Sequence, residues 1–200
     1  MKTHKFKSKS PFILASSSPR RIQLLKTILK DFEVIPSSAE EIQPGTFKPE
    51  NLVIKNADIK CIGIAKKYPN CWVLGSDTLV ALEDLVLGKP NDFEDAVKTL
   101  SKLSGKTNQV FTGISLRNQS LGIKRILAIE SLVYFKRITM SEIYQYFDLV
   151  NPLDKAGSYA IQEHPTRIIE KYEGSLNNII GLPTEQLADL FLEYSDFSKE

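Results

Sequence analysis

The sequence predicts an α/β protein, a mixed sheet with flanking helices, in two lobes around a central cleft. Three observations carry this. Short apolar runs alternate with helical patterns early in the chain, two long extended runs flank the turn "NQS" in its middle, and a helical pattern returns near the end. Strand–helix alternation calls for parallel pairing and the hairpin for antiparallel pairing, so the sheet is mixed.

Each element has its own signal. Residues 12–15 read as a buried strand. Residues 19–29 read as a helix with Ile22, Leu25, Ile28 and Leu29 on one face, and "FEVIP" (32–36) as a second strand. Residues 49–67 form a long helical stretch with a stripe of Leu52, Val53, Ala57, Cys61, Ile64 and Ala65. "CWVLGSDTLVAL" (71–82) is strand-like, and "ED" before "LVLGKP" marks a hairpin. Residues 91–104 start with a capping box, Asn91 with Glu94, and stop at Gly105. The two runs of 109–137 form a long hairpin, expected to belong to the second lobe. Residues 141–149 read as a short helix, 166–183 as strand and turn, and 184–191 as the start of a last helix.

Composition narrows the class. A chain of 200 residues, 42% hydrophobic, fills one substantial core or two small lobes. The net charge of +2 gives little reason to expect a nucleic-acid partner, so any anion site must be local. No apolar run approaches the ~20 residues that cross a bilayer. The basic segment 1–11 lacks an apolar stretch and reads as a flexible, solvated tail, leaving 12–195 as a single domain. Cys61 and Cys71 match no ligand or redox spacing and read as reduced core residues of a cytosolic protein. With His4 and His164 the only histidines, a bound metal would be a hard cation held by oxygen.

The chemistry concentrates in a few segments. In "SSSPRR", Ser18 is a good N-cap and Pro19 a good first helical residue, so unpaired amides surround a helix start that attracts anions. Arg20 and Arg21 oppose the helix dipole there unless an anion is present, though a capped helix with arginines pairing to surface acids fits equally well. "VLGSDTLV" places Asp77 and Thr78 at the end of an apolar strand, suited to metal or water chemistry or simply to a turn cap. Lys89 of "GKP" lies one hairpin away. "AEEI" offers paired carboxylates and Lys60 lies on the long helix; alone, these are a charged loop and a solvated face. Gln162 closes "DKAGSYAIQ", where an amide can read a base edge or serve a turn.

Together the segments resemble a known family. "LASSSPRR", "GSDTLV", "GKP", "LSG", "VFTG", "DKAGSYAIQ" and "NNIIGLP" occur in the order found in the Maf family of nucleoside triphosphate pyrophosphatases, over residues 12–192. The resemblance implies a Maf/Ham1-like fold of the inosine triphosphatase type. It implies hydrolysis of a nucleoside triphosphate to monophosphate and pyrophosphate, assisted by a divalent cation, Mg2+ or Mn2+. It implies Asp77 as catalytic base; a metal ion bound by Asp77 together with Glu41 is the hypothesis that fits both the residues and the resemblance. Ser16, Arg20, Arg21 and Lys60 are implied as phosphate-binding groups, and Lys89 as a phosphate-binding group with a catalytic part. A homodimer in the cytoplasm is implied as well.

Arg20, Thr78 and Gln162 stand where members acting on dTTP and UTP carry Arg, Thr and Gln, so the chain resembles that subgroup and not the 7-methyl-GTP branch. Two departures stand out, Ala160 where glycine is common and Asn108 where histidine is common. Rival classes are a non-catalytic nucleotide-binding regulator of septum formation and a structural or nucleic-acid-binding module. Asp77 and Lys89 argue against the first, and the near-neutral charge against the second.

Overall fold

The computed structural model describes residues 5–45, 47–83 and 85–199. In chain order the elements are β1 (Phe6–Ser8), β2 (Phe12–Leu14), α1 (Pro19–Ile28), β3 (Glu33–Val34), α2 (Pro49–Lys67), β4 (Trp72–Leu82), β5 (Leu85–Leu87), α3 (Phe93–Leu103), β6 (Thr107–Asn118), β7 (Ile123–Phe135) and α4 (Met140–Phe147). After a 3-10 turn at Ala156–Ser158 come α5 (Pro165–Ile168), β8 (Ile169–Glu173), α6 (Leu176–Ile180), α7 (Thr184–Leu192) and β9 (Phe197–Lys199). No helix among the described residues is long and apolar enough to cross a membrane.

Seven strands form one mixed sheet in the order β3-β2-β4-β6-β7-β8, with β5 also paired to β4. Strand β2 runs parallel to β3 and β4, while β4, β6, β7 and β8 are antiparallel neighbours. The long hairpin is therefore not a separate lobe. Strands β4 and β6 pair from Trp72↔Asn118 to Ala81↔Gln109, so the hairpin runs through both halves of the molecule.

The halves come from how one face of this sheet is covered. Side chains alternate along a strand, and on that face Trp72, Leu74, Ile114 and Leu116 pack with α1 and α7 in one apolar cluster. Val80, Leu82 and Val110 pack with α3 and α4 in another. Between the clusters the face turns polar at Ser76, Thr78 and Thr112, with Asn178 of α6 laid across it. The opposite face is covered by α2. A Cβ on Gly75 or Gly113 would collide with the backbone carbonyls of Ala57 and Val53, so both glycines let α2 lie directly on the strands.

Three local expectations change. Residues 6–8 of the expected flexible tail form a strand antiparallel to β9, and Phe6 packs edge-on to Phe191 at 5.4 Å. Asp196 completes the clasp, accepting from Trp72 Nε1 at 2.6 Å and from the Ser10 amide at 3.2 Å. Residues 1–4 of that tail lie outside the described residues. Helix α3 is capped one residue later than expected, because Asp92 accepts from the Asp95 amide at 2.8 Å while Asn91 donates to Asp95. The "SLNNII" stretch is helix α6, not strand and turn, because Ser175 Oγ accepts the Asn178 amide and starts a turn.

Candidate active site

The site lies where the neighbour of β4 changes. Strand β2 pairs with β4 only as far as Leu74, and β5 takes over at Val80. Between them, among the described residues, this edge of β4 has no strand beside it, so residues from both faces of the sheet reach one cleft. Asp77 and Thr78 are thus in the middle of a strand, not at its end as the sequence suggested. The chain end that matters is the carboxyl end of β2, whose exit loop 15–18 leads into α1.

Two connected cavities fill the gap. An inner one of about 260 Å³ is walled by Val80, Tyr159, Ile161 and Ile180, with Asp77 and Thr78 also in its lining. An outer one of about 760 Å³ adds Ser16, Ser17 and Ser37. Arg20, Arg21, Glu41, Lys60, Lys89 and Gln162 line both. All nine residues singled out from the sequence therefore meet here. The inner lining carries Arg20, Arg21, Lys60, Lys89 and Lys155 against Glu41 and Asp77. A chain nearly neutral as a whole concentrates positive charge in its cleft, as a polyanion site needs.

The carboxylates and Lys60 form one cluster. Lys60 Nζ donates to Asp77 Oδ1 at 2.7 Å and pairs with Glu41 Oε1 at 2.8 Å. Asn56 Nδ2 reaches Asp77 Oδ2 at 3.3 Å. Asn56 also binds both backbone groups of Ile42, accepting from its amide at 2.8 Å and donating to its carbonyl at 3.1 Å, and so brings the Glu41 loop to α2. Sequence reasoning missed Asn56. Its spacing of four residues from Lys60 puts both on one helix face, which was the available signal. Asp77 and Glu41 each place an oxygen beside one ammonium, and these two carboxylates would hold a hard divalent cation. Among the described residues no group of three His, Cys, Asp or Glu converges, so the protein alone offers such an ion two carboxylates.

The two arginines differ. Arg21 lies under the loop and donates Nε to Gly181 O at 3.0 Å, Nη2 to Thr78 Oγ1 at 2.9 Å and Nη1 to Ser16 Oγ at 3.4 Å. Burial lowers its pKa, opposed by the charges of Asp77 and Glu41 and aided by that of Arg20. It stays a cation, since arginine does not deprotonate in proteins. Arg20 makes no hydrogen bond or ion pair with a described residue, and neither does Lys89. Those two cations are available to a ligand, whereas Arg21 spends three donors on the protein. Ser16 Oγ accepts from Arg21 and from the Ser18 amide at 3.2 Å, which leaves its hydrogen for an anion.

The loop bearing Gln162 is fastened by Lys155. That buried ammonium donates to Asn151 O at 2.9 Å and Asp154 Oδ1 at 2.8 Å, and lies 3.3 Å from Glu163. The Gly157 amide donates to Gly88 O at 3.0 Å, tying this loop to the turn that carries Lys89. Ala160 has negative φ, unlike Gly157, Ser158 and His164, so alanine fits there without strain. Asn108 donates to Tyr159 Oη at 3.0 Å and so steadies a wall of the inner cavity.

A mixed sheet with flanking helices, opened at one edge by a cationic cleft, defines an α/β protein. A HAM1 protein from Coxiella burnetii aligns over 92% of this chain and all of its own, with a TM-score of 0.53 at 17% identity. The Maf-like protein family model matches residues 11–194, and the chain belongs to that family. It is 42% identical to the dTTP/UTP pyrophosphatase of Akkermansia muciniphila, over 88% of this chain and 93% of the relative. It is 36% identical to the dTTP/UTP pyrophosphatase of Desulfotalea psychrophila, over 96% and 99%.

Proposed function

We propose that this protein hydrolyses nucleoside triphosphates, dTTP and UTP foremost, to the monophosphate and pyrophosphate. The observation that carries the reading is the meeting of Asp77, on β4, with two uncommitted cations, Arg20 and Lys89, in one cleft. The names of the relatives point the same way. The base enters the inner cavity, between apolar walls, with Thr78 and Gln162 at its edge. The phosphates lie in the outer cavity, against Arg20, Lys89, the Ser16 hydroxyl and the amides that open α1.

In the reaction a water oxygen attacks the α-phosphorus and Asp77 takes its proton. The bond from that phosphorus to the bridging oxygen breaks, and pyrophosphate leaves with the electron pair. Lys60 and Asn56 hold the Asp77 carboxylate in place, while Arg20 and Lys89 stabilise the phosphoryl charge, the main source of catalysis in such transfers. Asp77 and Glu41 would hold Mg2+ or Mn2+, which when bound neutralises triphosphate charge.

The reading extends to a homodimer in the cytosol. Its support is the family resemblance and two free cysteines, with burial pushing the Cys61 thiol up to about 11. Pyrophosphate release from dTTP, UTP, CTP and 7-methyl-GTP, with and without Mg2+ or Mn2+, tests the activity. Tight binding of dTTP with no release from any of them would favour the non-catalytic regulator.

A further inference from the structure

The hydrogen of the Thr78 hydroxyl has protein acceptors to go to. A hydroxyl has one hydrogen and two acceptor lone pairs. Thr78 Oγ1 has three polar neighbours, Arg21 Nη2 at 2.9 Å, Thr112 Oγ1 at 3.0 Å and Gly181 O at 3.3 Å. Arg21 can only donate, so it occupies one lone pair. Gly181 O can only accept.

Thr112 is settled by its other partner. Its hydroxyl lies 3.0 Å from Asn178 O. The helical partner of that carbonyl would be the Leu182 amide, but the Gly181 and Leu182 amides both turn to Asn177 O. The site is fully buried, so the Thr112 hydrogen goes to Asn178 O, where it would otherwise leave an unmet acceptor. Thr112 can then only accept from Thr78. Whether the Thr78 hydrogen goes to Thr112 or to Gly181, it points into the protein. What Thr78 offers the inner cavity is one lone pair.

We propose that Thr112 and Arg21 are positioning residues that fix the Thr78 hydroxyl as an acceptor toward the cleft, so that the cleft takes a base edge bearing an imide N–H. The proposal rests on the reading above, that the base lies in the inner cavity. Uracil and thymine carry that hydrogen at ring position 3. Cytosine has a bare lone pair there, which would face the lone pair of Thr78. Guanine also has a ring N–H, and its second ring is left to the walls of the cavity. The pairing Thr78↔Thr112 across β4 and β6 makes the arrangement possible, since it sets the two hydroxyls side by side on one face.

The test compares kcat/KM for UTP, CTP and 3-methyl-UTP, whose methyl group replaces the imide hydrogen. In the unmodified protein, 3-methyl-UTP is expected to fall at least about tenfold below UTP, the upper end of what the loss of one net hydrogen bond costs. Thr112→Val is expected to cut the UTP-over-CTP ratio by about five- to tenfold, the range one hydrogen bond supports. Thr112→Ser, which keeps the hydroxyl, is expected to retain the ratio. Equal use of UTP and 3-methyl-UTP overturns the proposal, as does a folded Thr112→Val with the original ratio. Should Thr112→Val fail to fold, the 3-methyl-UTP comparison decides alone. Release of pyrophosphate from no nucleotide would overturn the underlying reaction together with this inference, whereas release from UTP and 3-methyl-UTP alike overturns the inference only.

Discussion

Lys60 and Asp77, seventeen positions apart on a helix and a strand, meet at 2.7 Å. The contact exists because two glycines in the sheet let α2 lie against β4 and β6. It holds the candidate base beside an ammonium that Glu41 shares, from where it can face a water in the cleft. Asp77→Asn keeps the shape but offers one acceptor oxygen where Lys60 and Asn56 both donate, so the fold is expected to survive with a lowered melting temperature. Pyrophosphate release from dTTP should fall about a hundredfold to ten-thousandfold, the usual contribution of a general base. A variant with normal turnover would remove Asp77 from the mechanism.

The unequal arginines make a paired prediction. Arg20→Ala should raise KM and lower kcat with little change in melting temperature, because it removes a cation that makes no side-chain hydrogen bond or ion pair with a described residue and is felt by Asp154 only through its charge. Arg21→Ala should lower the melting temperature as well, since it strips hydrogen bonds from Gly181, Thr78 and Ser16. Thermal melts beside steady-state kinetics separate the two, and identical behaviour would contradict the division of labour.

Gly113→Ala probes the helix–sheet approach. The added methyl meets the Val53 carbonyl, so α2 must shift, at a cost of about 1–3 kcal/mol, as for other overpacked sites. Asn56 and Lys60 move with the helix. Turnover should drop alongside stability in chemical denaturation, while Gly122→Ala, in an open turn at φ 64°, should lower stability alone.

The clasp between chain ends predicts a pH dependence. Burial alone would raise the Asp196 pKa, but hydrogen bonds from Trp72, Ser10 and Ser8 outweigh it and hold the carboxyl below its usual value. A pKa depressed on folding stabilises above the unfolded value of about 3.9, and the contribution is lost as pH falls through the folded one. The stability gap between the protein and Asp196→Asn should therefore stay constant from neutral pH to about pH 5 and close below about pH 4. A gap that widens on acidification would reverse the sign of this linkage.

Much of the fold was legible because its elements are local. The stripe on α2 and the long hairpin follow from periodicity alone, and the structure sets them at 49–67 and 107–135. What periodicity could not supply was partnership. Phe6 reads as one apolar residue in a basic segment until Phe191 and Phe197 arrive from the far end of the chain. Likewise, "SLNNII" looks extended until Ser175 caps it and Asn178 bonds to Val110 and Ser131.

The sequence by itself determined most of the charged and polar groups at the site: Ser16, Arg20, Arg21, Asp77, Thr78, Lys89 and Gln162 stand in ordered motifs, Glu41 and Lys60 outside them, and Asn56 was missed. Only the tertiary structure decided what each is free to do. Motifs specify residue type, but a hydrogen bond uses up a donor or a lone pair, and its partner comes from elsewhere in the chain. Arg20 and Arg21 are adjacent and chemically identical. One faces the cleft with no side-chain hydrogen bond or ion pair to a described residue, while the other is tied to Gly181, Thr78 and Ser16. The hydrogen of Thr78 points inward because Thr112 lies across the strand and α6 leaves the Asn178 carbonyl to it.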